Sequence, residues 1–250
     1  MTIGIGFHCR DGIVLAADQQ QTAGGYYKVH STKLGNIVYE GATILWTYSH
    51  LPNLVTVMKD GVFAKLPNDP SQFTVNNVSE AVYKQIAEMK TQYPAEMADQ
   101  QFLFALSCGN ALKFVRVSGG IVDEPHSACI GVGDSSLVNY IIKAFGWRPP
   151  IFMDVADALT LAIYVIHLAK QFVDRVGGPT DAMILRYGHG HPDFVTSQQI
   201  KHMEDNFEGM EFLFRDVYSV LTNPAIPEDD LERPIARIVE GLKTIKKQWL

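Results

Sequence analysis

The chain has 250 residues, 47% apolar and 19% charged, enough for one large domain or two small ones with a substantial core. A formal net charge of −6 without any Lys/Arg-rich run argues against nucleic-acid or anionic-membrane partners, which need a basic face. Cys9, Cys108 and Cys129 are odd in number and lie in apolar runs, so the reading is buried free thiols, with neither a disulfide framework nor a zinc site.

Residues 3–9 and 13–17 read as two strands joined at Asp11-Gly12, a dipeptide suited to a hairpin turn. Ile3, Ile5 and Phe7 alternate with Gly4, Gly6 and His8, so one face is nearly bare and open to close approach by a backbone or ligand. IVLAA is apolar throughout, the pattern of a strand covered on both faces, and it stops at Asp18. QQQTAGGYYKVHST, residues 19–32, reads as a loop, and 33–49 as a second hairpin.

From residue 51 to 66 the spacing turns helical, with Leu54, Val57, Met58 and Val62 on one face. A second helix is expected from Ser79 to Tyr93, closing before Pro94. QFLFALSC, ALKFVRVSG and HSACIGVG are three further strands. Asp134 or Ser135 caps a third helix through Phe145, and Asp154 a fourth whose stripe is Val155, Ala158, Leu159, Ala162, Val165 and Ile166. TDAMILRYG and PDFVTSQQI close the set as a hairpin around GHGH, and two more helices follow over 202–221 and 231–250, separated by NPAIPEDD. This order is that of an α+β protein, a four-layer α-β-β-α sandwich of two packed sheets with a helix pair on each outer side. The expected division is a domain over 1–201 and a C-terminal helical extension over 202–250.

The start lacks a basic segment, a long apolar segment and a cleavage box, and no apolar run reaches 18 residues. The expectation is a cytoplasmic protein without a membrane span.

TIGIGFHCRDGIVLAAD, then TAGG, then Lys33 resembles the amino-terminal signature of proteasome β subunits and their bacterial relatives, members of the N-terminal nucleophile hydrolases. IGVGDSS before a helix, and LAKQ followed by GGPTDAMIL after one, follow the same template across roughly residues 2–200. The resemblance implies the same four-layer sandwich, a ring-forming homo-oligomer and a threonine-dependent peptidase or amide hydrolase needing no cofactor. The nucleophile would be Thr2 once Met1 is removed, with Asp18 and Lys33 completing the catalytic set. Thr22 would lie where a substrate strand pairs with the backbone, and a backbone N–H at Tyr48 would line the oxyanion hole.

Several positions depart from that template. Tyr48 stands where the family has glycine, so its side chain is expected to crowd or reshape the site. Val132, Val173 and Val176 stand where polar residues are expected, with Asp174 one place out of register. Loss of those polar residues favours a catalytically silent assembly or binding subunit. Retention of Thr2, Asp18 and Lys33 together favours the enzyme. A small-molecule amidohydrolase, its pocket narrowed by WTYS, is a third reading.

The chemistry explains why these residue types belong together. An N-terminal threonine carries its own base, because an α-amine titrates near ~8, far below a lysine. A neighbouring ammonium lowers that value further, and Asp18 holds Lys33 charged and oriented. Other polar residues read more plainly. Ser49 and His50 are adjacent, and neighbours in a strand point to opposite faces, so no second centre is expected there. His189 and His191 belong to a turn rather than a metal site, and His8 and His167 to core or interface positions. EFLFRDVY over 211–218 reads as a packing face or a subunit contact.

Overall fold

A computed structural model describes residues 2–23, 27–131, 140–141, 149–222 and 232–249. The Asp11-Gly12 hairpin joins β1 (Ile3–His8) to β2 (Gly12–Asp18), with Ile5 opposite Ala16 and Phe7 opposite Val14. β10 (Ser127–Gly131) pairs on the free side of β1, and β11 (Thr180–Arg186) on the free side of β2, extended by the two-residue β12 (Asp193–Phe194). The second sheet runs in chain order: β5 (Leu34–Tyr39), β6 (Ala42–Ser49), β7 (Gln101–Cys108), β8 (Ala111–Ser118) and β9 (Ile121–Asp123).

The two sheets face each other. Ile13, Leu15 and Ala17 of β2 share one cluster with Leu45, Leu103, Ala105 and Phe114 of the other sheet. The bare face of β1 is filled by side chains from both directions: a Cβ on Gly6 would stand 2.5 Å from the Phe114 ring and 2.9 Å from Leu15. The close approach expected there is therefore side-chain packing rather than a backbone or ligand.

The outer face of the second sheet is covered by α1 (Asn53–Lys65), α2 (Val75–Gln92) and the short α3 (Pro94–Asp99). Ile44, Trp46 and Phe104 meet Met58, Val82 and Met89 in that layer. α4 (Val155–Phe172) packs against β2, β1 and β11 on the outside of the first sheet. The architecture is the four-layer α-β-β-α sandwich that the element order implied. The expected third helix lies outside the described residues, apart from a helical Tyr140-Ile141.

Four local expectations are corrected. Residues 19–32 hold a two-stranded ribbon, β3 (Gln20–Ala23) with β4 (Tyr27–His30), whose polar strands lack the apolar alternation that marks a half-buried sheet. α2 begins a turn earlier than Ser79, because the Thr74 hydroxyl accepts from Asn77 N at 3.1 Å as its N-cap. Pro94 opens α3 instead of merely ending α2, since proline suits the first helical position. The run after GHGH stays extended only through β12 before α5 (Ser197–Thr222) begins, because Ile200, Met203 and Phe207 already share a helical face.

Two compact units result, Met1–Ser197 and Gln198–Leu250. In the second, Gly209 approaches Ile245 and Gly241 approaches Leu213, the contacts of α5 lying antiparallel to α6 (Glu232–Trp249). Within EFLFRDVY, Leu213 packs toward α6 while Phe212, Phe214 and Tyr218 are exposed.

Candidate active site

β2 ends where the first sheet is fully covered, so Asp18 is wholly buried. Such a carboxylate must be satisfied locally, and three donors converge on it. The peptide N–H of Ile3 donates to Asp18 Oδ1 at 2.9 Å, the Lys33 ammonium to the same oxygen at 2.8 Å, and Gly177 N to Oδ2 at 3.2 Å. Lys33 sits just before β5, only 2% exposed, and also donates to the Gln20 carbonyl at 2.5 Å. Burial pulls the Lys33 ammonium below its ordinary value, and Asp18 opposes that shift without cancelling it. The sequence predicts that Asp18 favours a charged Lys33. The carboxylate does pull that way, but desolvation is the larger influence.

Thr2 is buried and directly precedes β1. Ile3 lies opposite Gly131, the last residue of β10. Gly131 has φ +83°, and a Cβ there would overlap the Thr2 carbonyl oxygen, so only glycine lets β10 end against Thr2. One oxygen of Asp18 therefore holds both the peptide nitrogen following Thr2 and the Lys33 ammonium. The expectation that Met1 leaves lies outside the described residues.

The Tyr48 side chain is buried, its ring in the sheet–helix layer. Ala42, Ile44, Trp46 and Tyr48 all point from β6 into the sheet–helix layer, and Thr47 instead contacts the Gly4 position across the two sheets. The Tyr48 hydroxyl accepts from Gln21 Nε2 at 3.2 Å, while burial raises its pKa against the opposing pull of hydrogen bonds from Ser31 and Gln21. Its backbone lies opposite Phe102, one residue beyond the last β5 partner, the Thr47–Leu34 pair. Thr22 is on β3 opposite Lys28.

Of the positions where polar groups are missing, Val173 caps the end of α4 half-buried and Val176 is buried, while the out-of-register Asp174 between them is exposed. Val132 lies outside the described residues. The expectation that Ser49 and His50 diverge is corrected: Ser49 Oγ and His50 Nδ1 stand 3.0 Å apart. His50 follows the last residue of β6 with φ +78°, so strand alternation no longer governs it and the ring folds back. His8 meets the Tyr187 hydroxyl at 3.1 Å, His167 meets Gln171 Nε2 at 2.9 Å, and His189 and His191 lie in the turn between β11 and β12.

Three contributors to the Asp18–Lys33 cluster were not singled out from the sequence: the Ile3 N–H, the Gln20 carbonyl and the Gly177 N–H. All are backbone groups, whose partners depend on how distant segments meet. Gly177 is in the GGPTD stretch, and its glycines were the available signal of a close turn.

No protein-family model matches the chain, and no curated protein sequence matches it. Solved structures do. The chain is similar to Anbu (ancestral beta-subunit) from Yersinia bercovieri, with TM-score 0.69 and 14% identity over 90% of this chain and 99% of that one. It is similar to Anbu from Hyphomicrobium sp. strain MC1, with TM-score 0.68 and 14% identity over 87% and 97%. It is also similar to a helical assembly of the Anbu complex from Pseudomonas aeruginosa, with TM-score 0.70 and 14% identity over 91% and 99%. These correct the resemblance to proteasome β subunits drawn from the sequence, because Anbu is a distinct family with a proteasome-like fold. The stretch that suggested the family, DGIVLAAD, is a tight hairpin feeding a doubly covered strand, which the fold itself demands. What the likeness establishes is a fold shared with Anbu.

Proposed function

We propose that the chain is a threonine-dependent N-terminal nucleophile hydrolase acting on a peptide or amide. The observation carrying this reading is the single Asp18 oxygen that receives both the Ile3 N–H and the Lys33 ammonium at the buried start of β1. An ammonium costs several kcal/mol, on the order of 3–5, to strand in such a place, so its pairing beside Thr2 calls for a use as well as a partner.

In the proposed reaction Met1 has been removed and the α-amine of Thr2 is free. That amine takes the proton of Thr2 Oγ as the oxygen attacks the substrate carbonyl carbon. Lys33 biases the amine toward its neutral form, and Asp18 fixes Lys33. The tetrahedral oxyanion is held by backbone N–H groups near Tyr48, each donor typically worth about 3–4 kcal/mol. Collapse breaks the C–N bond, and the leaving amine takes the proton from the α-ammonium. The acyl ester on Thr2 is then attacked by water, deprotonated by the same α-amine, which releases the acid and restores Oγ–H. Thr22 belongs to the β3 edge along which an extended substrate is proposed to align. Homo-oligomeric assembly is part of this reading, supported by the assembly named for the Pseudomonas aeruginosa structure.

A second reading, a silent subunit that keeps the fold for assembly or binding, draws on the buried Val176 and exposed Asp174.

The test uses protein whose intact mass shows loss of Met1, treated with an electrophile selective for N-terminal threonine. A single adduct in the wild type that is lost in Thr2→Ala supports the hydrolase. Mature protein that gives neither adduct nor turnover of peptide libraries establishes the silent subunit instead. Negative-stain imaging tests assembly independently.

A further inference from the structure

Thr2 is gripped from two sides, and the hydrolase reading uses only one of them. Asp18 holds the Ile3 nitrogen. On the other side Gly131 lies against the Thr2 carbonyl, so close that no side chain fits between them. Whatever fixes Gly131 therefore fixes Thr2. Its N–H is not left to the first sheet: it donates to Gln101 Oε1 at 2.7 Å, across the sandwich, since Gln101 opens β7 of the second sheet. This is a polar strut between two sheets whose interface is otherwise largely apolar.

The geometry points to Gln101 as a positioning residue for Thr2, acting through Gly131 and held in place by Ser49 and His50. The inference rests on the hydrolase reading for its consequence but on the hydrogen bonds for its substance. The Gln101 amide has no freedom to flip. Its Nε2 donates to Ser118 Oγ at 3.3 Å, and its Oε1 accepts from Ser49 Oγ at 3.3 Å as well as from Gly131. Ser49, 1% exposed, has one proton to give. If that proton goes to Gln101, the 3.0 Å contact with His50 Nδ1 must run the other way, with Nδ1–H donating to Ser49 Oγ. Donors then follow one direction, from His50 to Ser49 to Gln101, and Oε1 takes Gly131 as its second donor.

The left-handed backbone of His50 is what lets the ring reach Ser49, and the turn is secured by Leu51 N donating to Gln100 Oε1 at 2.9 Å. A non-glycine residue in that conformation is strained, and strain of this kind persists where surrounding structure imposes it. The chain supplies from the second sheet a polar support beside Thr2.

The test compares Gln101→Leu, Gln101→Glu and Ser49→Ala in the mature full chain by two measurements. The first is the rate of modification by the threonine-selective electrophile, separated into maximal rate and half-saturating concentration. The second is amide exchange at Ile3 and Gly131 relative to β6–β8. Gln101→Leu is expected to lower the maximal rate on the order of 10- to 100-fold with half-saturation unchanged, the scale of a nucleophile displaced by about 1 Å. It is also expected to speed exchange at Ile3 and Gly131 while β6–β8 stay protected. Gln101→Glu, which keeps an acceptor oxygen, stays within a few-fold of wild type, and Ser49→Ala shifts both readouts in the Leu direction by less. Wild-type rates and exchange in Gln101→Leu, a Gln101→Glu variant as impaired as Leu, or protection lost evenly across β6–β8 would each overturn the inference. If the wild type gives no adduct, the hydrolase reading fails, and exchange at Ile3 and Gly131 alone decides whether Gln101 holds this end of the chain. Should Gln101→Leu not fold, the same two readouts on Ser49→Ala decide it.

Discussion

Two polar arms flank Thr2, and they are built on different principles. The Asp18 arm is ionic and almost wholly buried: a carboxylate at 0% exposure, an ammonium at 2%, and backbone groups satisfying the remainder. The Gln101 arm is neutral and half-buried, a side-chain amide bridging a serine hydroxyl and a peptide N–H. The ionic arm tolerates no partial loss, because either partner left alone is a bare charge in an apolar sandwich. The neutral arm can lose a member and leave only unpaired dipoles. In the proposed hydrolase, the first arm would carry the tuned charge and the second only a fixed distance.

Breaking the ionic arm should have the largest effect. Lys33→Met or Asp18→Asn is expected to cost about 3–5 kcal/mol in denaturant unfolding. The double variant Asp18→Leu/Lys33→Met should recover part of that, since no charge remains unpaired. A double variant as damaged as the sum of the two singles would show that the pair is not acting as a unit.

Gly131→Ala comes next, at about 2–3 kcal/mol, because it combines a positive φ with overlap on the Thr2 carbonyl. Thermal melts that leave it level with wild type would remove the contact through which the neutral arm reaches Thr2. Gln101→Leu should fall below both, at about 1–2 kcal/mol, and a loss matching that of Lys33→Met would erase the contrast between the arms.

The pH dependence sharpens the comparison further. The folded chain holds Lys33 below its ordinary 10.5, so between the lowered value and 10.5 the unfolded chain binds more protons. The cost of a buried ammonium is fully present below that window and is relieved as pH rises through it. The stability difference between wild type and Lys33→Met should therefore move in favour of wild type on the alkaline side. A difference that is flat with pH up to 10.5 would contradict the direction assigned to Lys33.

The smallest effect expected is that of Tyr48→Phe, about 1 kcal/mol or less, from the hydrogen bond with Gln21. Electrophile labelling unchanged in this variant would agree with a ring turned away from Thr2.

Much of the sandwich was legible because its signals are local. The alternation in β1, the unbroken apolar run of β2 and the stripe of α4 each state which faces are buried. The β3–β4 ribbon was not legible, because polar strands give no periodic signal, nor was α3, which is too short for a stripe to show. In the site, Asp18 was marked as a carboxylate closing an apolar strand, whereas Lys33 came only through the family resemblance. Gln101 offered no such sign: a glutamine at the start of an apolar strand is an ordinary residue until a strand from the other sheet ends beside it.

Beyond the candidates Thr2, Asp18 and Lys33, which the family resemblance supplied, the sequence by itself determined most of the strands and helices and the two covered sheets. Periodicity and residue chemistry act over a few neighbouring positions, and these are properties of that range. Only the tertiary structure decided that one Asp18 oxygen serves both Ile3 and Lys33, that the Tyr48 ring turns outward, that Ser49 meets His50, and that Gly131 leans on Thr2. Each of those facts depends on the register and separation of segments far apart in the chain, which packing sets and local pattern does not encode.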